Sequence, residues 1–488
     1  MTQYELVVGL EIHAQLLTQS KMFCRCANDY FAAEPNTRVC PVCLGLPGAL
    51  PVINEKAVRN TVLTGLALNC TIPSFAKFDR KNYFYPDLVK NYQISQYDLP
   101  LCLDGWMDVE TSVGTTVGTR RLRITRVHLE EDTGKLTHVS RGGEEYSLID
   151  YNRSGVPLME IVSYHDMHTV DEVNQYIHRI HGLLRHLGVS TGDMEKGAMR
   201  FEANISLNPM GSGVLGNRVE VKNLNSFRAV IHSIEYEMQR QAGILDGGGA
   251  VQQETMGWDE AAGVTVSQRG KEDAHDYRYF PEPDLPPLAL SREWVEQVRA
   301  SMPELPDAKR ERFMVSLGLS RYDASLLAED QGVAAYFETA LAAARPDEVK
   351  TIANWILGEM FRLMPERKTE IGDVKIAPAA LVELVRLVSD GAISNSMAKE
   401  VFAEMFATGK AASLIVSERG LSQISDTDAL AAIVAGVMKA NPQAVADYRA
   451  GKEAALSFLV GQVMKASRGR ANPALAGRLL QEALTREA

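Results

Sequence analysis

The sequence has no uninterrupted apolar run of the ~18 residues that a membrane-spanning helix requires, so a role inside a bilayer is not expected. Its start, MTQYELVVGLEIHAQL, lacks the basic flank and small-residue cleavage site of a secretory signal and is not an arginine- and serine-rich transit segment; a cytoplasmic location is the expectation. Six cysteines in 488 residues are too few for a secreted disulfide scaffold. Cations are also in deficit: 51 Lys and Arg stand against 62 Asp and Glu, a net charge of -11. Nothing global therefore draws the chain to a nucleic acid, and a polyanion would have to meet a local basic face. No Walker loop and no Ser-His-Asp arrangement is present, which leaves standard P-loop phosphoryl transfer and serine hydrolysis without support.

What is present is an ordinary globular composition, 45% hydrophobic and 23% charged, on a chain long enough to need several domains. Over the first 290 or so residues, YELVVGLEIHAQL, RLRITRVHLEE, EYSLIDYN and RVEVKNLNSF read as strands, with GWMDVE a weaker candidate. Helices are predicted over Glu55 to Leu68 and Val170 to Leu187; the second has Val173, Ile177, Ile180, Leu184 and Leu187 on one face and a capping box from Thr169 and Glu172. Strands and helices do not alternate regularly, so the fold class is α+β, neither barrel nor doubly wound sheet. The proline-dense FPEPDLPPLALS, Phe280 to Ser291, predicts a boundary. Beyond it helical periodicity dominates, and the end of the chain reads as a small bundle with a local basic excess that includes Lys465, Arg468 and Arg470. That excess suits either a solvated surface or a nucleic-acid contact.

Several clusters carry chemical content. FCRCANDYFAAEPNTRVCPVCLG sets Cys24 and Cys26 against Cys40 and Cys43, four thiols able to surround zinc, with free thiols or a redox pair as alternatives. If zinc is bound there it is structural, because four protein thiolates leave no position for water. GLEIH places Glu11 and His13 on one face of a strand. HLEEDTG adds His128, Glu130, Glu131 and Asp132, and PLMEIVS adds Glu160. Carboxylates that converge repel, and a hard divalent cation relieves them; a solvated strand face and an acidic turn is the alternative. FAKFDRKNYFYPDLVKNYQISQYDLP interleaves Lys77, Arg80, Lys81, Asn82 and Lys90 with Tyr83 and other rings, and GKEDAHDYRYFPEPD repeats the pattern with Lys271 and Arg278. Such groups hold phosphates and stack bases, or else bury rings. In LIDYNRSGVPLMEIVS, Asp150, Asn152 and Arg153 crowd one turn before Glu160, and the expectation is that this turn lines a site for phosphorylated chemistry.

Taken together, LIDYNRSGVPLMEIVS, VGLEIHAQLLTQSKMFCRC, FDRKNYFYPDL, QISQYDLP, VEVKNLNSFR, DYRYFPEPDLPP and FLVGQVMKASRGRANP resemble the B subunits of aspartyl-tRNA(Asn)/glutamyl-tRNA(Gln) amidotransferases, over essentially the whole chain. The resemblance implies a cradle-shaped catalytic domain with a mixed or antiparallel sheet over 1–292, an all-helical domain over 293–410 and a tRNA-binding tail over 411–488. It implies an ATP-dependent, glutamine-hydrolysing carbon-nitrogen ligase in a heterotrimer, whose other members are the amidase, or A subunit, and a small C subunit. It further implies that the side-chain carboxylate carried by misacylated tRNA(Gln) or tRNA(Asn) is phosphorylated and then amidated. By the same resemblance Mg2+ is held by Glu11, His13, Glu131 and Glu160; Arg153 is expected to contact the phosphate or acyl phosphate. Lys81, Asn82, Tyr83, Lys271 and Arg278 are expected around ATP, zinc on the four cysteines, and Lys465, Arg468 and Arg470 on the tRNA. A non-catalytic tRNA-binding scaffold is the competing expectation. Departures from the family pattern occur at Phe201 and Glu202, where cysteine and aspartate are usual, at Val89 and Asn91, where proline and glycine are common, and at Gly270, where serine or a similar residue is more usual.

Overall fold

The computed structural model describes residues 4–113, 116–213, 215–270, 277–421, 427–467 and 471–486. These fall into two compact units that divide between Leu305 and Pro306.

The first unit is built on an eleven-stranded sheet. Its strands are β1 (Tyr4–Gln15), β3 (Asp79–Asn82), β4 (Tyr92–Ser95), β5 (Cys102–Val113), β6 (Thr116–Glu131), β9 (Pro157–Ser163), β10 (Met199–Pro209), β11 (Val219–Leu224), β12 (Glu254–Asp259), β13 (Val264–Gly270) and β14 (Phe280–Pro281). Their spatial order is β13-β12-β11-β10-β1-β9-β6-β4-β3-β14, with β5 also paired to β6. Only β11 and β12 run parallel in this sheet among the described pairs. Short β2 (Phe75–Ala76) pairs with β15 (Leu288–Ala289), and β7 (Lys135–Arg141) with β8 (Glu144–Asp150).

Alternation along the central strands gives the sheet two different faces. Leu10, Ile12, Ala14, Val127, Leu129, Met159, Ile161, Phe201 and Ala203 are fully or almost fully buried on the apolar face. Helices α1 (Glu55–Ala67), α2 (Val170–His186) and α3 (Phe227–Asp246) contribute to the same core. The stripe expected on α2 is in place: Val173, Ile177, Ile180 and Leu184 are wholly buried, and Thr169 with Glu172 closes the capping box. The proline-rich stretch does not leave this unit, since Phe280 pairs with Arg80 and Leu288 with Ala76. Helix α4 (Arg292–Ala300) then seats Val295 and Val298 in the same core.

The second unit is helical, with α5 (Pro306–Leu317) to α12 (Ala412–Arg419) surrounding one core and α13 (Thr427–Ala440) to α16 (Pro473–Arg486) another. The stretch expected as one long helix, VKTIANWILGEMFRLM, contains a π-helical turn over Ile356–Met360, one extra residue accommodated within an otherwise α-helical run. Among the described residues, no helix is long and apolar enough to cross a membrane.

Candidate active site

The polar face of the first unit's sheet collects residues far apart in sequence because the strand register sets them side by side. His13 pairs with Glu160 across β1 and β9, and His128 pairs with Glu160 across β9 and β6. On the other side of β1, His13 stands opposite Arg200, and Glu11 opposite Glu202. A two-residue period then carries Glu11, His13 and Gln15 onto one face of β1, and His128 and Glu130 onto one face of β6.

The geometry is tight. His13 Nε2 lies 3.6 Å from Glu130 Oε1 and 3.6 Å from Glu160 Oε2. One ligand atom from each of these three residues lies within 4.8 Å of the other two. Glu11, Glu202 and Glu220 form a second trio by the same measure. Asn204 Nδ2 donates to Glu11 at 3.1 Å, and Lys222 Nζ lies 2.6 Å from Glu202 and 3.1 Å from Glu220. Toward the edge, Asp132 accepts from Gln15 at 2.8 Å and from Arg200 at 3.1 Å. Lys81 on β3 stands with its ammonium 5.0 Å from the Tyr277 ring centre.

Electrostatics divides these acids into two groups. Burial first, then the charges of Glu160, Glu202 and Glu220, push Glu11 up to about 7. Burial and then Glu160 push Glu130 up to about 8. Burial works against charge at Glu160 as well, but His128, His13 and Lys81 outweigh it and hold that carboxyl well below its ordinary value. Glu202 is likewise held down against its burial, chiefly by Lys222. Burial lowers His13, so its imidazole is neutral near pH 7, the form that binds a metal. Lys81 remains protonated far above neutrality, since Glu130, Tyr279 and Glu160 outweigh its burial. Two carboxyls driven toward neutrality beside ionised ones, with an imidazole between them, are a donor set of hard oxygens that a divalent cation of the Mg2+ or Mn2+ kind would satisfy.

The polar groups of the turn before Glu160 make contacts within the chain. Asp150 accepts from the backbone of Asn36 at 3.0 Å and of Asn152 at 2.9 Å. Asn152 donates to Glu34 O at 2.7 Å and accepts from Arg38 N at 2.7 Å. Both therefore latch the loop that joins the cysteine pairs. Arg153, expected on a phosphate, instead spends its guanidinium on the carbonyls of Thr133 at 3.0 Å and Gly134 at 2.6 Å, with Asp132 3.7 Å away. The arginine facing His13 and Glu130 is Arg200. Gly155 closes the turn at φ +82°, where a side chain would be strained.

Glu131, expected on Mg2+, lies apart from the group around His13. Its neighbour Glu130 joins His13 and Glu160, whereas Glu131, one residue on, faces the opposite side. There it forms an ion pair with Lys90 and accepts from Ile94 N at 3.0 Å. It borders a cavity of about 190 Å3 that is also lined by Cys24, Cys43 and Lys90. Gly45 lets the Lys90 chain reach it, since an added Cβ would stand 2.4 Å from Lys90 Cγ.

The four cysteines converge. All four Sγ atoms lie within 4.8 Å of one another, and Cys40 and Cys43 are 3.8 Å apart. Tetrahedral Zn–S bonds of about 2.3 Å put sulfurs roughly 3.8 Å apart, so the cluster fits the ion. A hydrogen bond from Cys24, with Lys21 nearby, pulls Cys43 down to about 5, while burial and then Cys40 push Cys26 up to about 11.

The remaining expected contacts are more dispersed. Asn82 Nδ2 donates to the Arg278 carbonyl at 2.8 Å, which ties two chain segments together. Tyr83 packs edge-on to Tyr277 at 5.9 Å, and the Arg278 side chain is exposed. Asn91 takes φ +62° where the family commonly has glycine, a conformation asparagine tolerates. Lys465 lies exposed in the last turn of α15 (Ala454–Ala466). Lys271, Arg468 and Arg470 lie outside the described residues. Sequence reasoning left Arg200 and Glu220 out of the site and named Glu202 only as a departure from the family pattern. In MRFEANISL a polar residue at every second position among apolar ones was the available signal.

Two family models match the chain: GatB/GatE catalytic domain over residues 6–296 and GatB domain over residues 335–484. Among curated proteins, the chain is 53% identical over 493 residues to the B subunit of the aspartyl/glutamyl-tRNA(Asn/Gln) amidotransferase of Dehalococcoides mccartyi strain 195, covering 99% of each chain. It is 54% identical over 482 residues to that of Thermomicrobium roseum, again with 99% of each chain. With that of Carboxydothermus hydrogenoformans it shares 49% over 487 residues and 100% of each.

Proposed function

The chain belongs to the family of aspartyl/glutamyl-tRNA(Asn/Gln) amidotransferase B subunits, and from that premise we propose that it carries the synthetic half-reaction. ATP phosphorylates the side-chain carboxylate of Glu-tRNA(Gln) or Asp-tRNA(Asn), giving an acyl phosphate and ADP. Ammonia then attacks the acyl carbon, the C–O bond breaks, phosphate leaves, and a proton is lost to give the amide. A carboxylate is a poor electrophile, and phosphorylation supplies the leaving group that makes the second step possible.

The observation that carries this reading is the row His13–Glu160 with Glu130 alongside and Glu11 two residues away on the same face, acids that are costly to keep together without a cation. His13, Glu130, Glu160 and Glu11 would hold Mg2+, with Glu202 and Glu220 adjoining. When bound, Mg2+ neutralises phosphoryl oxygens and lets anions approach one another. Lys81 supplies a fixed positive charge beside Glu130 and Glu160, suited to a transferring phosphate. Arg200, anchored by Asp132, adds a second cation at the edge, and Arg153 keeps the Thr133–Gly134 turn in place. Lys271, Asn82, Tyr83 and Arg278 remain assigned to the surroundings of ATP.

On the other face, Cys24, Cys26, Cys40 and Cys43 would hold zinc and so fix the loop latched by Asp150 and Asn152. Ammonia comes from glutamine hydrolysed on the amidase, or A subunit, and a small C subunit completes a heterotrimer. The chain divides functionally into a catalytic part over 1–292, a helical part over 293–410 and a tail over 411–488, in which Lys465, Arg468 and Arg470 contact tRNA phosphates. The test is an assay of the purified complex with Glu-tRNA(Gln) and Asp-tRNA(Asn), ATP and glutamine, followed by hydrolysis of the ester and identification of the released amino acid. ATP-dependent appearance of glutamine or asparagine is expected. A complex that hydrolyses glutamine yet converts neither tRNA overturns the proposal.

A further inference from the structure

The row through Glu160 grades from partly open to closed. The side chains of His13, Glu160 and His128 are 14%, 8% and 3% exposed. Both imidazoles approach the same carboxylate oxygen, His13 Nε2 at 3.6 Å and His128 Nε2 at 3.1 Å. Only the His128 contact is at hydrogen-bonding length. His13 therefore stands on the accessible side of Glu160, and His128 behind it.

The other ring nitrogen of His128 decides what it donates. Nδ1 is buried and has no hydrogen-bond partner. The Nδ1–H tautomer would leave a buried N–H unsatisfied and turn an Nε2 lone pair toward the Glu160 oxygen. The Nε2–H tautomer leaves only a bare lone pair there and aims its one donor at Glu160. Its Nε2 is thus a donor rather than a ligand, and the ring is locked between strands.

We infer that His128 is a positioning residue for the cation site: its Nε2–H holds the Glu160 carboxylate from the buried side, in the rotamer that keeps it within reach of His13 and Glu130. The inference rests on the reading that His13, Glu130 and Glu160 bind a divalent cation, and extends it to a residue that touches neither cation nor substrate. Groups of this kind orient ligands before binding, and their loss typically costs about 10–100-fold in metal affinity.

Two substitutions separate donation from packing. His128→Phe keeps a planar ring and removes the donor; His128→Gln keeps an N–H on a chain of comparable reach. Each is made in the full-length chain within its complex, and Mn2+ affinity is measured by electron paramagnetic resonance of the free ion. A loss of about 10–100-fold is expected for H128F, with most of the affinity restored in H128Q. The Mg2+ concentration for half-maximal tRNA-dependent ATP hydrolysis should move in parallel, while glutamine hydrolysis stays unchanged. Wild-type Mn2+ affinity in H128F overturns the role of His128 and leaves the cation site standing, as does an H128Q protein that folds yet binds as weakly as H128F. A wild-type complex that binds no Mn2+ at this site removes the cation reading and the positioning role together.

Discussion

Glu130 and Glu131 are neighbours in β6 and share a composition, a strand and deep burial, yet they do opposite things. Glu130 is set among other acids, raised to about 8, and is incompletely compensated by the protein itself. Glu131 is neutralised by Lys90 beside the cysteine cluster. The difference is one step of strand alternation. One face of the sheet is left with charge for a ligand to satisfy, and the other is satisfied from within.

The sharpest way to break that comparison is at its centre. Glu160→Gln should lower ATP-dependent transamidation by about two to three orders of magnitude, while the partner's glutamine hydrolysis persists. Equal loss of both activities would mean structural collapse. Next, Glu131→Gln leaves the Lys90 ammonium almost buried without its counter-ion and should destabilise the fold by about 3–5 kcal/mol, read as a lower denaturation midpoint. Glu130→Gln, by contrast, removes a carboxyl from a repulsive cluster. It should keep or raise the stability of the cation-free protein and weaken Mn2+ binding by about 10–100-fold. If both substitutions behave alike, the two faces are not distinct.

A pH series sharpens the same contrast. Glu11 and Glu130 titrate at about 7 and about 8 in the folded chain, above their ordinary value of 4.5. The folded state therefore binds more protons than the unfolded one across that window, and cation-free stability falls as pH rises from about 4.5 through about 8. A divalent cation removes the penalty. The gain in thermal midpoint on adding Mg2+ should accordingly be larger near pH 8.5 than near pH 6; a pH-independent gain would contradict the assignment. The smallest effect is expected at Arg153→Lys, which trades a fork on two carbonyls for a single ammonium and should cost about 1 kcal/mol without abolishing cation binding.

Much of this was legible in one dimension. The apolar period of Val173, Ile177, Ile180 and Leu184 predicted the buried stripe of α2, and the Thr169–Glu172 spacing its cap. The four thiols and the acids around His13 could be named, because acid, imidazole and thiol are conspicuous when spaced closely. Three placements could not be read from the sequence, for physical reasons. Arg153 and Asn152 resembled ligand contacts because the same donors that grip phosphate also grip carbonyls, and only the partners tell them apart. Glu131 was chosen over Glu130 although the period from His128 favours Glu130. Arg200 was left out because its importance comes from a strand nearly two hundred residues from β1.

What the sequence determined by itself is local: which segments are strands or helices, where thiols and carboxyls are dense, and which residues alternate, since these follow from side-chain chemistry and short-range sterics. Only the tertiary structure decided the neighbours. The register of β10, β1, β9 and β6 is set by burying one apolar face on α1, α2 and α3, and a slip of one residue in any of these strands would turn its polar residues into the core. The packing of the apolar side thus selects which acids meet on the other.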